Sequence, residues 1–370
     1  MDSSYLSVIK GTNMCLEIRG DRNDLYLQKG GDQLIQDVAK GCGEGMGDVV
    51  VVIHAVGPVI LENFIDIMNV KAVIHANLPG TESGNAIVDI LFGDVNPSGR
   101  LPYTIAKKED DYGPGSKIKY LPSVSDGLAP QQNFSEGLYI DYRHFDKEDI
   151  APRYEFGYGL SYTQFKLSSL LINTKAKKTA LPAARPKGIA PPSYSTELPS
   201  PESALFPKDF HKVEKYIYPW IESTDGIKKP EIMTSQIQSP LSDAGGGPGG
   251  NPDLYTTVFT VSASVTNTGP VDGSTVVQLY ISLPQGYKDE TGEAIEHPVR
   301  VLRGFEKIHI KAQNKENGKG ENRALVTFDV TRRDVSYWDV KRQNWVIPTS
   351  GEIGVSVGFS SRDLPLKGTW

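Results

Sequence analysis

The sequence predicts two architectures in one chain, an α/β unit built on a mostly parallel sheet and, after it, an all-β sandwich. Two apolar runs carry the first prediction: Asp48-Val-Val-Val-Val-Ile-His-Ala-Val56 and Val70-Lys-Ala-Val-Ile-His-Ala76 are short and β-branched, as strands buried on both faces of a parallel sheet read. A change of period carries the second. From Tyr255 onward Phe259, Val261, Ala263 and Val265 alternate with Val258, Thr260, Ser262 and Ser264, which is the period of a strand with one face turned to a core.

Taken in order, Leu34, Ile35 and Val38 sit at helical spacing, so Gly31 to Lys40 is expected to be a helix. Gly57-Pro58 ends the first strand, and the apolar spacing from Val59 to Met68 predicts a crossover helix, giving a βαβ unit. Thr81 is placed to cap a helix whose apolar face is Ile87, Val88, Ile90 and Leu91 and which stops at Gly93. Val95 to Ile105 reads as a turn and a short strand, its two prolines suiting a sheet edge. Lys107 to Ser135 reads as loop.

Gly137 to Phe145 and Tyr154 to Tyr162 are dense in aromatic residues, which bury large areas and anchor interfaces. On an expected strand, Asp141 and Arg143 share a face on either side of Tyr142, placed for an ion pair. Phe165 to Ile172 is the expected first strand of the sandwich. Strands at 276–282, 299–310, 324–330 and 353–357 follow, for a total of about seven. Between them, 174–253 is a largely irregular insertion rich in Lys, Pro, Ser and Gly, with one apolar island from Leu205 to Ile221. The expected domains are therefore 1–163 and 164–370, the second interrupted by 174–253.

With 370 residues, 38% hydrophobic, 37 Gly and 25 Pro, the chain holds two ordinary domains with residues to spare for loops. A net charge of −6 without a basic stripe argues against nucleic acid or an anionic membrane as partner. Met1 to Lys10 has no basic segment and too short an apolar run for a signal peptide, and no stretch reaches membrane-spanning length. Cys15 and Cys42 allow one disulfide or two free thiols.

Four motifs in register point further: Leu78-Pro-Gly-Thr-Glu-Ser-Gly-Asn85, Phe92-Gly-Asp-Val-Asn-Pro-Ser-Gly-Arg-Leu101, Phe134-Ser-Glu-Gly-Leu-Tyr-Ile-Asp-Tyr-Arg-His-Phe-Asp146 and Tyr154-Glu-Phe-Gly-Tyr-Gly-Leu-Ser-Tyr-Thr163. Together they resemble the C-terminal half of fungal-type glycoside hydrolase family 3 β-glucosidases. The second half, through Val265-Thr-Asn-Thr-Gly269, Pro298-Val-Arg-Val-Leu-Arg-Gly-Phe305, Thr331-Arg-Arg-Asp334 and Tyr337-Trp-Asp-Val340, resembles that family's fibronectin type III-like domain. Leu205-Phe-Pro and Tyr216-Ile-Tyr-Pro219 are similar to the long insertion of the extracellular fungal enzymes. The fold implied is a partial α/β sandwich followed by an immunoglobulin-like or fibronectin III-like β-sandwich.

The resemblance implies retaining hydrolysis of terminal non-reducing β-D-glucosyl residues, as in cellulose and glucan degradation, by two carboxyl groups about 5–5.5 Å apart. The family's nucleophile is an Asp on an N-terminal barrel, which is expected to be missing here because the chain opens in the middle of the α/β domain. The family's acid/base Glu precedes a Gly-Asp-Arg-Asn motif; an ungapped count back from Gly20-Asp-Arg-Asn23 puts Lys10 in its place. An ammonium stays protonated near neutral pH and is a poor proton donor to a glycosidic oxygen. Glu17 lies seven residues late and is not assigned.

No catalytic residue, cofactor or metal is therefore expected within these 370 residues. Asp21 and Arg22 are the substrate-binding candidates, since the family's matching loop faces the sugar. A β-glucoside or oligosaccharide is the implied ligand, and secretion is the location implied. The alternative function is a non-catalytic carbohydrate-binding or interaction protein; a truncated gene product that folds poorly is a third reading.

Other tempting residues have plain readings. His54 and His75 end strands without carboxylates or thiols at metal spacing and are expected to pack there. Glu82 suits the first turn of a helix, where the dipole favours a carboxylate. Trp338 and Trp345 are expected in the sandwich core rather than as a sugar platform. Asn133-Phe-Ser135 is a glycosylation sequon that matters only in an exported chain.

Limited proteolysis with mass mapping should give first cuts within Thr174 to Ala190 or Ser239 to Gly250, where Lys, Pro and Gly dominate, with Tyr216 protected. Early cutting at Tyr216 would show that the apolar island is not docked.

Overall fold

The computed structural model describes residues 24–116, 131–184, 200, 251–313 and 322–370. The chain forms two compact units, one of 1–180, 257–337 and 347–370 and the other of 181–256 and 338–346. The first holds both the α/β part and the sandwich.

Helix α1 is Gly31–Gly41, with Asp32 in its first turn and Lys40 in its last, both matched to the helix dipole. Ala39 is buried and Ile35 packs on the α/β core, while Leu34 and Val38 stay about half exposed, at 48% and 47%. Strand β1, Val49–Ile53, pairs in parallel with β2, Val70–His75. The expectation of a strand buried on both faces is corrected here: Val49, Val51 and Ile53 are buried, but Val50 is 48% exposed. Among the described residues β1 pairs with β2 alone. Its outer face meets Leu34, Ile35 and Val38 of α1 across an open apolar groove of about 300 Å³.

The crossover from β1 to β2 also departs from expectation, because 59–68 is a run of turns instead of a helix. Val59, Ile60, Leu61 and Phe64 are nonetheless buried, and a single turn closes where the Phe64 and Ile65 amides donate to the Leu61 carbonyl. The β-branched Ile60, Ile65 and Ile67 and the backbone-competing Asn63, Asp66 and Asn69 are weak helix formers, and burial is met without regular helix. Asn69 donates to the carbonyls of Ala39 (2.7 Å) and Gly47 (2.9 Å), fixing the entry to β2.

Helix α2 is Ser83–Phe92 and ends on Gly93 at φ 85°, as expected. Its N-cap is Glu82 instead of Thr81, without a side-chain capping bond; the Glu82 carboxylate accepts from the Asn85 amide. The predicted strand before Ile105 reduces to one antiparallel bridge, Ile105 to Tyr154, with backbone bonds joining Leu101 to Tyr158 and Gly157. Pro102, lacking an N–H, interrupts the ladder between them.

The segment around Tyr142 is helical, which corrects the strand reading and its ion pair. Helix α3 is Tyr142–Lys147, and Asp141 is its N-cap. The Asp141 carboxylate accepts from the Tyr142 amide (2.6 Å), the Thr104 amide (2.9 Å) and the Thr104 hydroxyl (2.8 Å), and Arg143 donates to the Ile140 carbonyl. A positive φ of 53° at Asp141 breaks the extended run.

Among the described residues the sandwich has seven strands in two antiparallel sheets. One is ordered β11–β10–β5–β6 and the other β3–β4–β7. The strands are β3 Phe165–Thr174, β4 Thr257–Asn267, β5 Gly273–Ser282, β6 Val301–Ile310, β7 Arg323–Thr331, β10 Gly354–Gly358 and β11 Leu366–Thr369. Phe165 does open the sandwich, through β3 pairing with β4. Phe259, Val261, Ala263 and Val265 are all fully buried and face Val277, Leu279, Val355 and Val357 in one core, on which Trp370 stacks 4.7 Å from Phe259. The last strand, β11, is missed by the sequence because Leu366–Thr369 has four residues and a glycine.

Two short strands, β8 Tyr337–Asp339 and β9 Asn344–Val346, form a separate ribbon. Trp338 is 41% exposed there and meets Trp345 edge to face at 5.6 Å, so it is not the core residue expected. The apolar island at Leu205 to Ile221 lies outside the described residues.

Replacing Phe259 by Ala should cost about 3–5 kcal/mol, whereas Val50→Thr should stay within about 0.5 kcal/mol. Denaturant unfolding of both variants checks the contrast; a similar loss at Val50 would mean that its face is buried in solution.

Candidate functional site

Open α/β sheets receive ligands beyond the carboxyl ends of their strands, and His54 and His75 stand at those ends. His54 follows β1 and is 4% exposed; burial holds its pKa below the usual imidazole value, so it is neutral at pH 7. His75 closes β2 and lies edge to face with Tyr103, whose hydroxyl is 3.2 Å from Nδ1 and donates to Asn77 Oδ1 at 2.8 Å. Asn77 takes φ 51°, which turns the chain sharply after the strand. The strand-end packing expected of both histidines is what is found. No group of three or more His, Cys, Asp or Glu able to hold a metal lies among the described residues.

Below this edge the crossover is tied by Arg153, which binds Glu62 at 2.5 and 2.6 Å and Asp66 at 2.9 Å. The bidentate bond to Glu62, then the bond to Asp66, raises the Arg153 pKa. These carboxylates are engaged as structural acceptors.

The aromatic segments form the seam between the α/β part and the sandwich. Tyr142 packs on Phe156 at 4.9 Å and edge to face on the fully buried Tyr280 of β5 at 6.0 Å, while its hydroxyl accepts from the Leu302 amide at 3.0 Å. Tyr280 donates to Gln278 Oε1 at 2.6 Å, and Gln278 donates in turn to Phe359 and Gly157 carbonyls at 2.7 and 3.2 Å. Asn96 and Arg100, from the Phe92 to Leu101 motif, donate to the Asp272 carbonyl and the Thr275 hydroxyl. At the far end the Asp146 side chain, 3% exposed, sits between Arg300 at 2.9 Å and Arg362 at 3.5 Å. Sequence reasoning foresaw the aromatic anchor but not Asp146 or Gln278, because the Asp146 partners lie more than 150 residues away and the carbonyls that Gln278 binds lie 81 and 121 away.

The sequence-predicted site residues Asp21 and Arg22, together with Lys10, Glu17 and Cys15, lie outside the described residues. Cys42 is a half-buried free thiol.

Fold and edge together define an α/β body carrying an accessory β-sandwich. The chain belongs to glycosyl hydrolase family 3: residues 5–162 match the Glycosyl hydrolase family 3 C-terminal domain and residues 275–361 match the Fibronectin type III-like domain. It is 48% identical over 377 residues to a probable beta-glucosidase E of Neosartorya fischeri, covering 95% of this chain and 35% of the relative. The probable beta-glucosidase E of Aspergillus clavatus is 50% identical over 356 residues, with 95% and 32% covered. Among solved structures, the Chaetomium thermophilum beta-glucosidase superposes with a TM-score of 0.69 at 38% identity, over 95% of this chain and 41% of that one. The chain thus spans about a third of the length of the relatives it matches. Among the described residues no helix is long and apolar enough to cross a membrane.

Burial raises the Asp146 pKa despite Arg300 and Arg362, which act to lower it. A carboxyl whose folded pKa is raised favours folding most when protonated, so its contribution falls as pH rises through the folded value. The groups facing it are Arg300, Arg362 and, farther off, Tyr280. Measured against an Asp146→Asn variant, the melting temperature of the native chain should gain as pH falls through that range. A constant difference across pH would refute the assignment.

Proposed function

We propose that this chain supplies the C-terminal domains of a retaining β-glucosidase, acting on terminal β-D-glucosyl residues of glucosides or oligosaccharides in an exported setting. The observation that supports it most is the match of both family domains in register, with relatives named beta-glucosidase near 50% identity along 95% of the chain. In this reading the 370 residues form the wall beside the sugar and do not cleave it alone, because retaining hydrolysis needs a nucleophile and an acid on opposite sides of the bond. Asp21 and Arg22, within the matched stretch, are proposed to contact the sugar, and the division at 163/164 is proposed as the domain boundary.

Two experiments test this. The purified 370-residue chain should not turn over an aryl β-glucoside, the substrate that needs least help from an acid. Turnover above a mock preparation, lost on Glu17→Gln, would overturn the reading. Placed in the matched position of the Neosartorya fischeri relative, the chain should support hydrolysis of aryl glucosides. Lys10→Glu in that chimera should extend activity to alkyl glucosides, and Asp21→Ala should raise KM by about tenfold, the size of one lost polar contact.

A further inference from the structure

We propose that Asn133 is an N-glycosylation site, and that its glycan covers the exposed apolar side chains of Phe134, Leu138 and Ile140. The sequence holds two Asn-X-Ser/Thr stretches, Asn96-Pro-Ser98 and Asn133-Phe-Ser135. The first is blocked by Pro97, and its amide is committed: Asn96 donates to the Asp272 carbonyl and accepts from the Ser161 hydroxyl and the Tyr162 amide. Asn133 is the opposite case. It is exposed, lies in irregular chain just before the turn that closes where the Gly137 amide donates to Phe134, and makes no hydrogen bond among the described residues. Ser135, whose hydroxyl the transfer needs, is exposed as well.

Three exposed apolar side chains follow it within seven positions. Phe134 is 80% exposed, Leu138 55% and Ile140 52%. Bare apolar groups in such a row are an aggregation liability or a covered surface. A covalent glycan rooted one residue from Phe134 is a cover of suitable kind, since the C–H faces of a sugar ring pack on an aromatic ring while its hydroxyls remain in water. In the transfer, Asn133 Nδ2 forms a bond to C1 of the first sugar of a lipid-pyrophosphate-linked oligosaccharide. The C1–O bond breaks with its electron pair leaving on the lipid pyrophosphate, and the amide gives one proton to a base of the transferase.

The inference rests on the export reading above, and the test separates the two. The full chain is expressed in yeast behind an added secretion signal, so that it meets the glycosylation machinery whether or not its natural form does. The secreted protein should fall by one step in apparent mass on a gel after peptide N-glycanase treatment, with Asn133 converted to Asp in the peptide map. Asn133→Gln and Ser135→Ala should each abolish the step. Enzymatic removal of the glycan should raise the fluorescence of a hydrophobic dye, and Phe134→Ser should reduce that rise. A secreted chain without the step, or a step that persists in Asn133→Gln, would overturn the site. Unchanged dye fluorescence after deglycosylation would overturn the cover.

Discussion

A carboxylate almost out of water sets the terms for the rest of this molecule. Asp146 has 3% of its side chain exposed, and removal of an ion from water costs several kcal/mol unless charge and hydrogen bonds answer it. Arg300, just before β6, and Arg362, between β10 and β11, offset part of that cost from the sandwich. Helix α3 is thereby committed to one position, and Tyr142, four residues earlier, must meet Tyr280 and the Leu302 amide. The α/β part needs this support. Its parallel pair, β1 and β2, leaves Val50, Leu34 and Val38 half exposed, whereas the sandwich closes a core of its own.

Backbone conformation and polar accounting serve the same seam. Gly157 adopts φ 83° against the Gln278 amide, where a Cβ has neither the torsion nor the room. The Gln278 amide can then reach the Gly157 carbonyl. Asn267 plays the corresponding part at the end of β4. Fully buried, it donates to the Val271 and Ile310 carbonyls and accepts from the Gly269 amide and the Thr163 hydroxyl, so both halves of its amide are used. Buried polar groups of this kind hold a unique arrangement because any other leaves them unpaired.

The carboxyl edge of the parallel pair was partly legible in the sequence. His54 and His75 could be placed at strand ends from the β-branched runs before them, and both do stand there. Tyr103 as the partner of His75, and Arg153 gripping Glu62 and Asp66 across the crossover, were not legible. These contacts join residues 28 and about ninety positions apart, and periodicity carries no information at that range.

What the sequence by itself determined were the features that local stereochemistry and period dictate: the end of α2 at Gly93, the alternation of β4, the parallel apolar runs, and the family motifs. Tertiary structure decided the elements whose local signal was ambiguous. Residues 59–68 have helical spacing but are rich in β-branched residues and interrupted by Asn63 and Asp66, and burial of Phe64 was met by turns. The stretch around Tyr142 alternates as a strand does, yet Asp141 was drawn into a cap by Thr104 and the chain after it coiled into α3. Trp338, placed by type in the core, came to lie half in solvent on a ribbon. In each case the competing local preferences differ by less than about 1 kcal/mol per residue, so the outcome fell to distant partners whose identity only the folded chain supplies.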